Sequence, residues 1–268
     1  MEDLLHRRYG GAPVPAGPRS DVVETILGHR SVRAYLPDPL PPGTLETLIA
    51  AASSASTSSN LQTWSVVAVE DPARRDRLSR LAANQAFIRQ APLFLVWIAD
   101  LSRLERLGSA HGQPLEGLAF LELFMVALVD AALAAQNAVV AAESLGLGTV
   151  YVGAIRNKPA EVAAELALPP NAFAAFGMAV GCPDPAVATS VKPRLPQDVV
   201  LHREQYRAQT EPDHVAAYEA ALTAFSEANG MGAEGWIGRV LKRVATPASL
   251  AGRDKMREVL ATLGFGLR

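Results

Sequence analysis

Four short polar clusters along the chain have the composition to hold an anionic, heterocyclic ligand. The first, His29-Arg30-Ser31-Val32-Arg33, gathers an imidazole, a hydroxyl and two guanidiniums just after the apolar turn Val22, Val23, Ile26, Leu27. Guanidiniums grip phosphate through bidentate, charge-assisted hydrogen bonds, and a serine hydroxyl adds a donor. If this run is extended, His29, Ser31 and Arg33 project to one side and Arg30 to the other. The second cluster, Thr57-Ser58-Ser59-Asn60-Leu61-Gln62, brings hydroxyls and amides up to a strand. In the third, Tyr151-Val152-Gly153-Ala154-Ile155-Arg156-Asn157, Gly153 lets backbone amides approach a ligand closely. In the fourth, Pro193 holds the backbone extended, so that Lys192 and Arg194 point the same way. Each cluster alone also reads as ordinary structure: a helix end, a turn, a strand end, a solvated loop. Together, the cations and hydroxyls suit a phosphate, and the amides and backbone N–H groups suit a planar heterocycle.

The chain carries no GxSxG and no HExxH, and His6, His29, His111, His202 and His214 include no pair at metal-ligand spacing. With no nucleophile or metal in evidence, the reactivity is expected from a bound cofactor. Cys182, the single cysteine, stands between Gly181 and Pro183 and reads as a small buried residue rather than a nucleophile. One cysteine makes no internal disulfide, which fits a reducing compartment, and a cytoplasmic location is expected.

Behind these clusters stands a chain of 268 residues, 49% hydrophobic, with a net charge of −2. That is ample for a folded core and wrong for a disordered chain. The arginines are scattered among acids, so no nucleic-acid partner is expected. Residues 1–19 lack a continuous apolar stretch and read as a loose arm or a segment packed on a partner, ahead of a single domain over 20–268. Ser20 can cap a short helix ending near Gly28, and Thr44 a second one. Strands are expected at Trp64–Val69, closed by Asp71-Pro72, at Pro92–Ala99, at Thr149–Val152 and at Phe173–Val180. Helices are expected up to about Leu81, at Pro159–Leu166, and in the last part of the chain.

The strongest helix runs from Leu118 to Leu145, rich in Ala and Leu. Glu122, Asp130, Gln136, Asn137 and Glu143 interrupt its apolar character, so it is not a membrane span. Glu122, Asp130, Asn137 and Ser144 recur at roughly heptad spacing and leave most of the circumference apolar. Such a helix is expected to be buried nearly all round, within a domain or in a dimer interface, with both Glu122 and Asp130 partnered. Strands and helices mix without regular alternation, and a GxGxxG turn is missing. The fold class is therefore α+β and not Rossmann.

The segments HRSVRAY, TSSNLQTW, QNAVVAAESLGLGTVYVGAIRN and VKPRLP, in this order, resemble the FMN-dependent nitroreductase superfamily over about residues 20–245. The resemblance is closest to its oxygen-insensitive NADPH nitroreductase and NADPH-flavin oxidoreductase branch. It implies a homodimer with a central, mainly antiparallel sheet flanked by helices, exchanged C-terminal extensions, and FMN at the subunit interface. By the same resemblance His29, Arg30, Ser31 and Arg33 contact the flavin phosphate and ring, and Ser58, Ser59 and Asn60 reach it from the neighbouring subunit. Gln85 corresponds to a flavin-contacting glutamine, and Glu122 to an acid near the flavin-site arginines. Tyr151, Gly153 and Ala154 match the backbone stretch beside the ring, and Lys192 and Arg194 the cations near its pyrimidine end or phosphate.

The sequence departs from the branch at Asn60, where Phe is frequent, and at Ala154, where a second Gly is frequent. The loop 229–235 also lacks the arginine pair that resembles a 2′-phosphate clamp, leaving Arg239, Lys242 and Arg243 as candidates for NADPH. The implied activity is a ping-pong, two-electron oxidation of NADPH or NADH, with NADPH favoured and nitroaromatics, quinones or free flavin as acceptors. The alternative is a module that stores or senses FMN without turnover.

Overall fold

The run Leu93–Asp100, apolar up to its last residue, forms a strand that is buried along its whole length. In the computed structural model, which describes residues 1–15, 17–207 and 212–268, it lies inside a four-stranded sheet. The strands are β1 (Trp64–Val69), β2 (Leu93–Asp100), β3 (Gly148–Val152) and β4 (Ala172–Gly181), in the order β1-β2-β4-β3 with every pair antiparallel. Alternation along β2 sorts its side chains between two cores. Phe94, Val96 and Ile98 pack with Val32, Leu78, Ile88, Val150, Val152 and Val162. Leu93, Leu95 and Trp97 pack with Leu48, Ala52, Ala134, Ala138, Val139 and Met178. A strand dry on both faces requires helices over both. Pro72–Leu81, Ala86–Gln90 and Pro159–Glu165 cover one face, and Thr44–Ser53 and Leu121–Ser144 the other.

The chain divides into two compact units, Ser31–Val187 with Ala251–Arg268, and Met1–Arg30 with Ala188–Leu250. The first holds the sheet. Its last segment returns to it through Leu260 and Phe265, packed with Phe124 and Phe173, and through the bond from Arg268 N to Ala119 O at 3.0 Å. The second unit is helical, with Glu2–Arg8, Asp21–Leu27, Pro212–Ala228 and Trp236–Val244. Residues 2–8 are thus a packed helix rather than part of a loose arm. Ser20 caps Asp21–Leu27 as expected, its hydroxyl accepting from Val23 N at 3.2 Å. Thr44 instead begins its helix, behind Gly43 in the left-handed region. The helices Ser102–Ala110 and Ala86–Gln90 lie outside the sequence expectations. Cys182 is half-buried, and its carbonyl accepts from Leu36 N at 2.9 Å.

Within this single chain the Leu121–Ser144 helix is wet on one side, which leaves the dimer-interface alternative of the sequence reading open. Leu121, Met125, Val129 and Leu133 are 46%, 50%, 55% and 43% exposed. They advance four residues at a time beside the buried Phe124, Ala127, Ala131 and Ala135. Among the described residues this helix is long and apolar enough to cross a membrane, yet its alanine face packs against Leu93, Leu95 and Trp97. Glu122 is exposed at its start, and no described hydrogen bond or ion pair within this chain reaches it, so the partner expected for it is not found inside one subunit. It sits at the head of the wet stripe, where this chain offers it no donor.

Asp130, 1% exposed on the same helix, is fully provided for. Its Oδ2 accepts from Thr57 Oγ1 at 2.6 Å and from Thr63 N and Oγ1 at 3.1 Å each, and its Oδ1 accepts from Ser58 N at 3.1 Å. These bonds fix a loop with three left-handed, non-glycine residues, Ser59, Asn60 and Gln62. Such conformations persist only where the surroundings over-determine them. Asp130→Asn replaces an acceptor with an NH2 group that faces donors. It should cost about 1.5–3 kcal/mol in urea unfolding and speed hydrogen exchange at the Ser58 and Thr63 amides. Unchanged exchange at both amides would remove Asp130 as the anchor of this loop.

Candidate functional site

In the helical unit, the two cation-bearing segments are joined by one guanidinium. Arg8, in the last turn of Glu2–Arg8, is 8% exposed. Its Nη2 donates to Leu27 O at 2.8 Å and to His29 O at 2.7 Å, and its Nη1 donates to Lys192 O at 3.0 Å. Its own carbonyl accepts from Arg194 N at 2.8 Å. Leu27 ends a helix, where carbonyls lack intrahelical partners and a cation is favoured. His29, Lys192 and Arg194 are thereby brought together, 163 residues of chain notwithstanding for the first two (192 − 29). Pro193 is buried between the half-buried Lys192 and the exposed Arg194. Arg30 is exposed, with its Nε donating to Thr189 Oγ1 at 2.9 Å.

In the sheet unit, Ser31 and Arg33 are exposed and Val32 between them is buried, the alternation of an extended segment. Ser31 forms a parallel bridge with Thr149, and Val32 N donates to Thr149 O at 2.9 Å. This approach depends on Gly148, where a side-chain carbon would lie 2.7 Å from Val32 Cβ. Tyr35 OH donates to Val32 O at 2.6 Å, and burial drives its phenol above the ordinary range, so it stays a neutral donor. Along the same strand, the Tyr151 ring meets Phe176 edge to face at 5.4 Å, and its hydroxyl donates to Gln136 Oε1 at 3.4 Å.

The chain then enters the tight turn Gly153–Asn157. A side-chain carbon at Gly153 would lie 3.5 Å from Arg156 Nη2 and 3.8 Å from Arg253 Nη1. Two guanidiniums therefore stand beside this open stretch of backbone. Arg156 donates to Ala175 O, at the point where the β2–β4 register shifts. Arg253 Nε donates to Asn157 Oδ1 at 2.9 Å. Ala154 is half-buried against the core, so a methyl group is accommodated where the resemblance has a second glycine.

The remaining candidates stand apart. Ser58, Ser59 and Asn60 are exposed on the loop held by Asp130, with Gln62 Nε2 donating to Asn60 Oδ1 at 3.2 Å. Gln85 is half-buried after the left-handed pair Ala83 and Asn84, and its carbonyl accepts from Ser79 Oγ at 2.8 Å. No described hydrogen bond ties Gln85 or Glu122 to the other candidates. In the helical unit, Arg239 and Arg243 lie one turn apart on Trp236–Val244. Arg239 donates to Met231 O at 3.4 Å, Arg243 donates to Ser249 O, and Lys242 is paired with Glu234.

Sequence reasoning missed Arg8, which lay in the supposed arm, and Arg253, which belongs to no motif and reaches Gly153 only because the chain end returns to the sheet. The donor set fits FMN in kind. Cations and a serine hydroxyl match a phosphate, and an exposed tyrosine beside a partly exposed glycine turn matches a planar ring.

Comparison with known proteins accords with this arrangement. Residues 26–182 match the Nitroreductase family, and residues 192–268 match the Nitroreductase family, C-terminal domain. The chain is 39% identical over 227 residues to an FMN reductase (NADPH) of Bacillus subtilis, covering 83% of this chain and 90% of that one. It is 40% identical over 206 residues to an NADPH-flavin oxidoreductase of Vibrio harveyi, covering 77% and 82%. Among solved structures, NfrA2 of B. megaterium superposes with a TM-score of 0.86 at 36% identity, covering 93% of this chain and 100% of that one. With two family segments over most of its length and a relative 39% identical over 83% of it, the chain belongs to the nitroreductase family.

Proposed function

We propose that this protein is an FMN-dependent NAD(P)H oxidoreductase that delivers two electrons to nitroaromatics, quinones or free flavin. The observation that carries the reading is the pairing of Ser31 with Thr149, two residues before Tyr151. It supports the reading because Ser31 and the Tyr151–Gly153–Ala154 stretch then lie along one edge of the sheet. When bound, FMN supplies the two-electron chemistry, which no side chain of this chain could supply.

The protein contributes binding and charge. Arg30, Ser31, Arg33, Lys192 and Arg194 are assigned to the phosphate side, with His29 beside them. The backbone at Gly153 and Ala154, with Tyr151 and Gln85, is assigned to the ring. Arg156 and Arg253 beside Gly153 are assigned the stabilisation of a reduced, anionic ring, which their positive charge supports. No residue is required as a covalent nucleophile. The names of the Bacillus and Vibrio relatives support this choice of cofactor and donor.

The wet stripe Leu121, Met125, Val129 and Leu133 supports a homodimer, since a continuous apolar stripe on a core helix is unfavourable in water. In that dimer Ser58, Ser59 and Asn60 reach the flavin of the neighbouring subunit, and Glu122 acts across the interface. The reading places the enzyme in the cytoplasm. For nicotinamide selection, Arg239 and Arg243 are assigned to the 2′-phosphate, because their described contacts use one N–H each of the five a guanidinium offers. Lys242 is already neutralised by Glu234.

The purified protein should be yellow, and anaerobic NADPH should bleach it. A yellow protein that neither NADPH nor NADH bleaches would make it a flavin-binding module without turnover, and a colourless one that binds no FMN would end the proposal. Arg30→Ala and Arg33→Ala should each weaken FMN retention about ten- to a hundredfold, the range for one charge-assisted contact. Light scattering should give a dimer, and Val129→Lys should yield a monomer that loses FMN. A monomer that keeps FMN would count against the interface assignment. Arg239→Ala and Arg243→Ala should raise KM for NADPH about tenfold and leave NADH nearly untouched, and equal losses with both donors would reject the assignment.

A further inference from the structure

The first nineteen residues precede the matched family segment, which begins at residue 26. Residues 1–10 are nevertheless docked at several points. The Met1 ammonium lies 3.5 Å from Glu24 Oε1, and Tyr9 OH accepts from Gln197 Nε2 at 3.4 Å. Gly10 takes a left-handed conformation, φ +61°, where a side-chain carbon would stand 2.5 Å from Ala221 Cβ and 3.7 Å from Pro193 Cβ. The strongest attachment is Arg8, whose guanidinium meets the carbonyls of Leu27, His29 and Lys192 and whose carbonyl takes Arg194 N.

We propose that the N-terminal helix is a built-in brace for the flavin-phosphate cations, with Arg8 as its positioning residue. A planar guanidinium offers its donors in a fixed fork. Bridging His29 O and Lys192 O with one such fork sets the separation of the backbones that carry Arg30 on one side and Lys192 and Arg194 on the other. Arg8 is not itself a ligand. It is buried, and its described N–H bonds end on carbonyls. An ammonium on a flexible stem cannot reproduce the fork, so lysine is a poor substitute here.

The inference rests on the assignment of Arg30, Lys192 and Arg194 to the phosphate, and the test separates the two. Apoprotein is titrated with FMN and with riboflavin, which has the ring but no phosphate, in the wild type and in Arg8→Ala, Arg8→Lys, Gly10→Leu and Lys192→Ala. The wild type should prefer FMN, and Lys192→Ala should reduce that preference; if either fails, the phosphate assignment itself is wrong. Given both, Arg8→Ala should lose about tenfold or more in FMN affinity while riboflavin binding stays within about twofold. Arg8→Lys should behave like Arg8→Ala. Gly10→Leu, which keeps Arg8 but forces the arm off Ala221, should show the same FMN-selective loss even if Arg8→Ala does not fold. Wild-type FMN affinity in Arg8→Ala and Gly10→Leu, or equal losses for both ligands, would overturn the brace.

Discussion

The constraint on which the sheet unit depends is that β2 has no wet face. Every side chain from Leu93 to Asp100 is buried, so helices must lie on both sides and the chain must supply two cores from one strand. That requirement draws Leu121–Ser144 across the sheet with its alanines inward, because small side chains let it sit close to Trp97 and Met178. What remains on its outer side is apolar as well. Asp100, at the end of β2, shows the same constraint at a polar group. Burial would raise its pKa, but hydrogen bonds from Ser102 and Ser65, with Arg103 nearby, outweigh it and hold the carboxyl below the ordinary range.

Two buried charges of opposite sign solve the same problem in the two units. Asp130 collects N–H and O–H groups and fixes a strained loop that no regular structure would satisfy. Arg8 collects carbonyls and fixes two extended segments. In each case a single residue on a helix organises backbone that carries candidate ligand contacts, and the exposed side chains nearby are left to face a ligand. A buried charge is tolerable only when so fully hydrogen-bonded.

What the sequence revealed follows from the range of the interactions involved. Strands β1 to β4, the Ser20 cap and the close of β1 before Asp71-Pro72 were legible because each is decided by neighbours a few residues away. The alternation across Ser31, Val32 and Arg33 was legible for the same reason. Periodicity showed that Leu118–Leu145 was apolar on most sides, but not which apolar residues this chain alone would cover, so the exposed stripe through Val129 was not legible. Arg8 and Arg253 were invisible, since their partners Lys192 and Asn157 lie 184 and 96 residues away and no local pattern announces them.

The long reach of these anchors also bears on the order in which the protein is made. Thr57 and Asp130 are 73 residues apart, and Arg8 leaves the ribosome 184 residues ahead of Lys192. Contacts of such separation are slow to close, because the loop entropy must be met before they form. During synthesis, the sheet and its helices can condense while Arg8 has met Leu27 and His29 but not yet Lys192. The bracing of the segment 192–194 by Arg8 therefore arrives late, after roughly the first 194 residues have emerged, when Arg194 N can join Arg8 O. Under the proposed function, loading with a cofactor is in that sense a report that Arg8 has been met by the segment 192–194 and correctly paired.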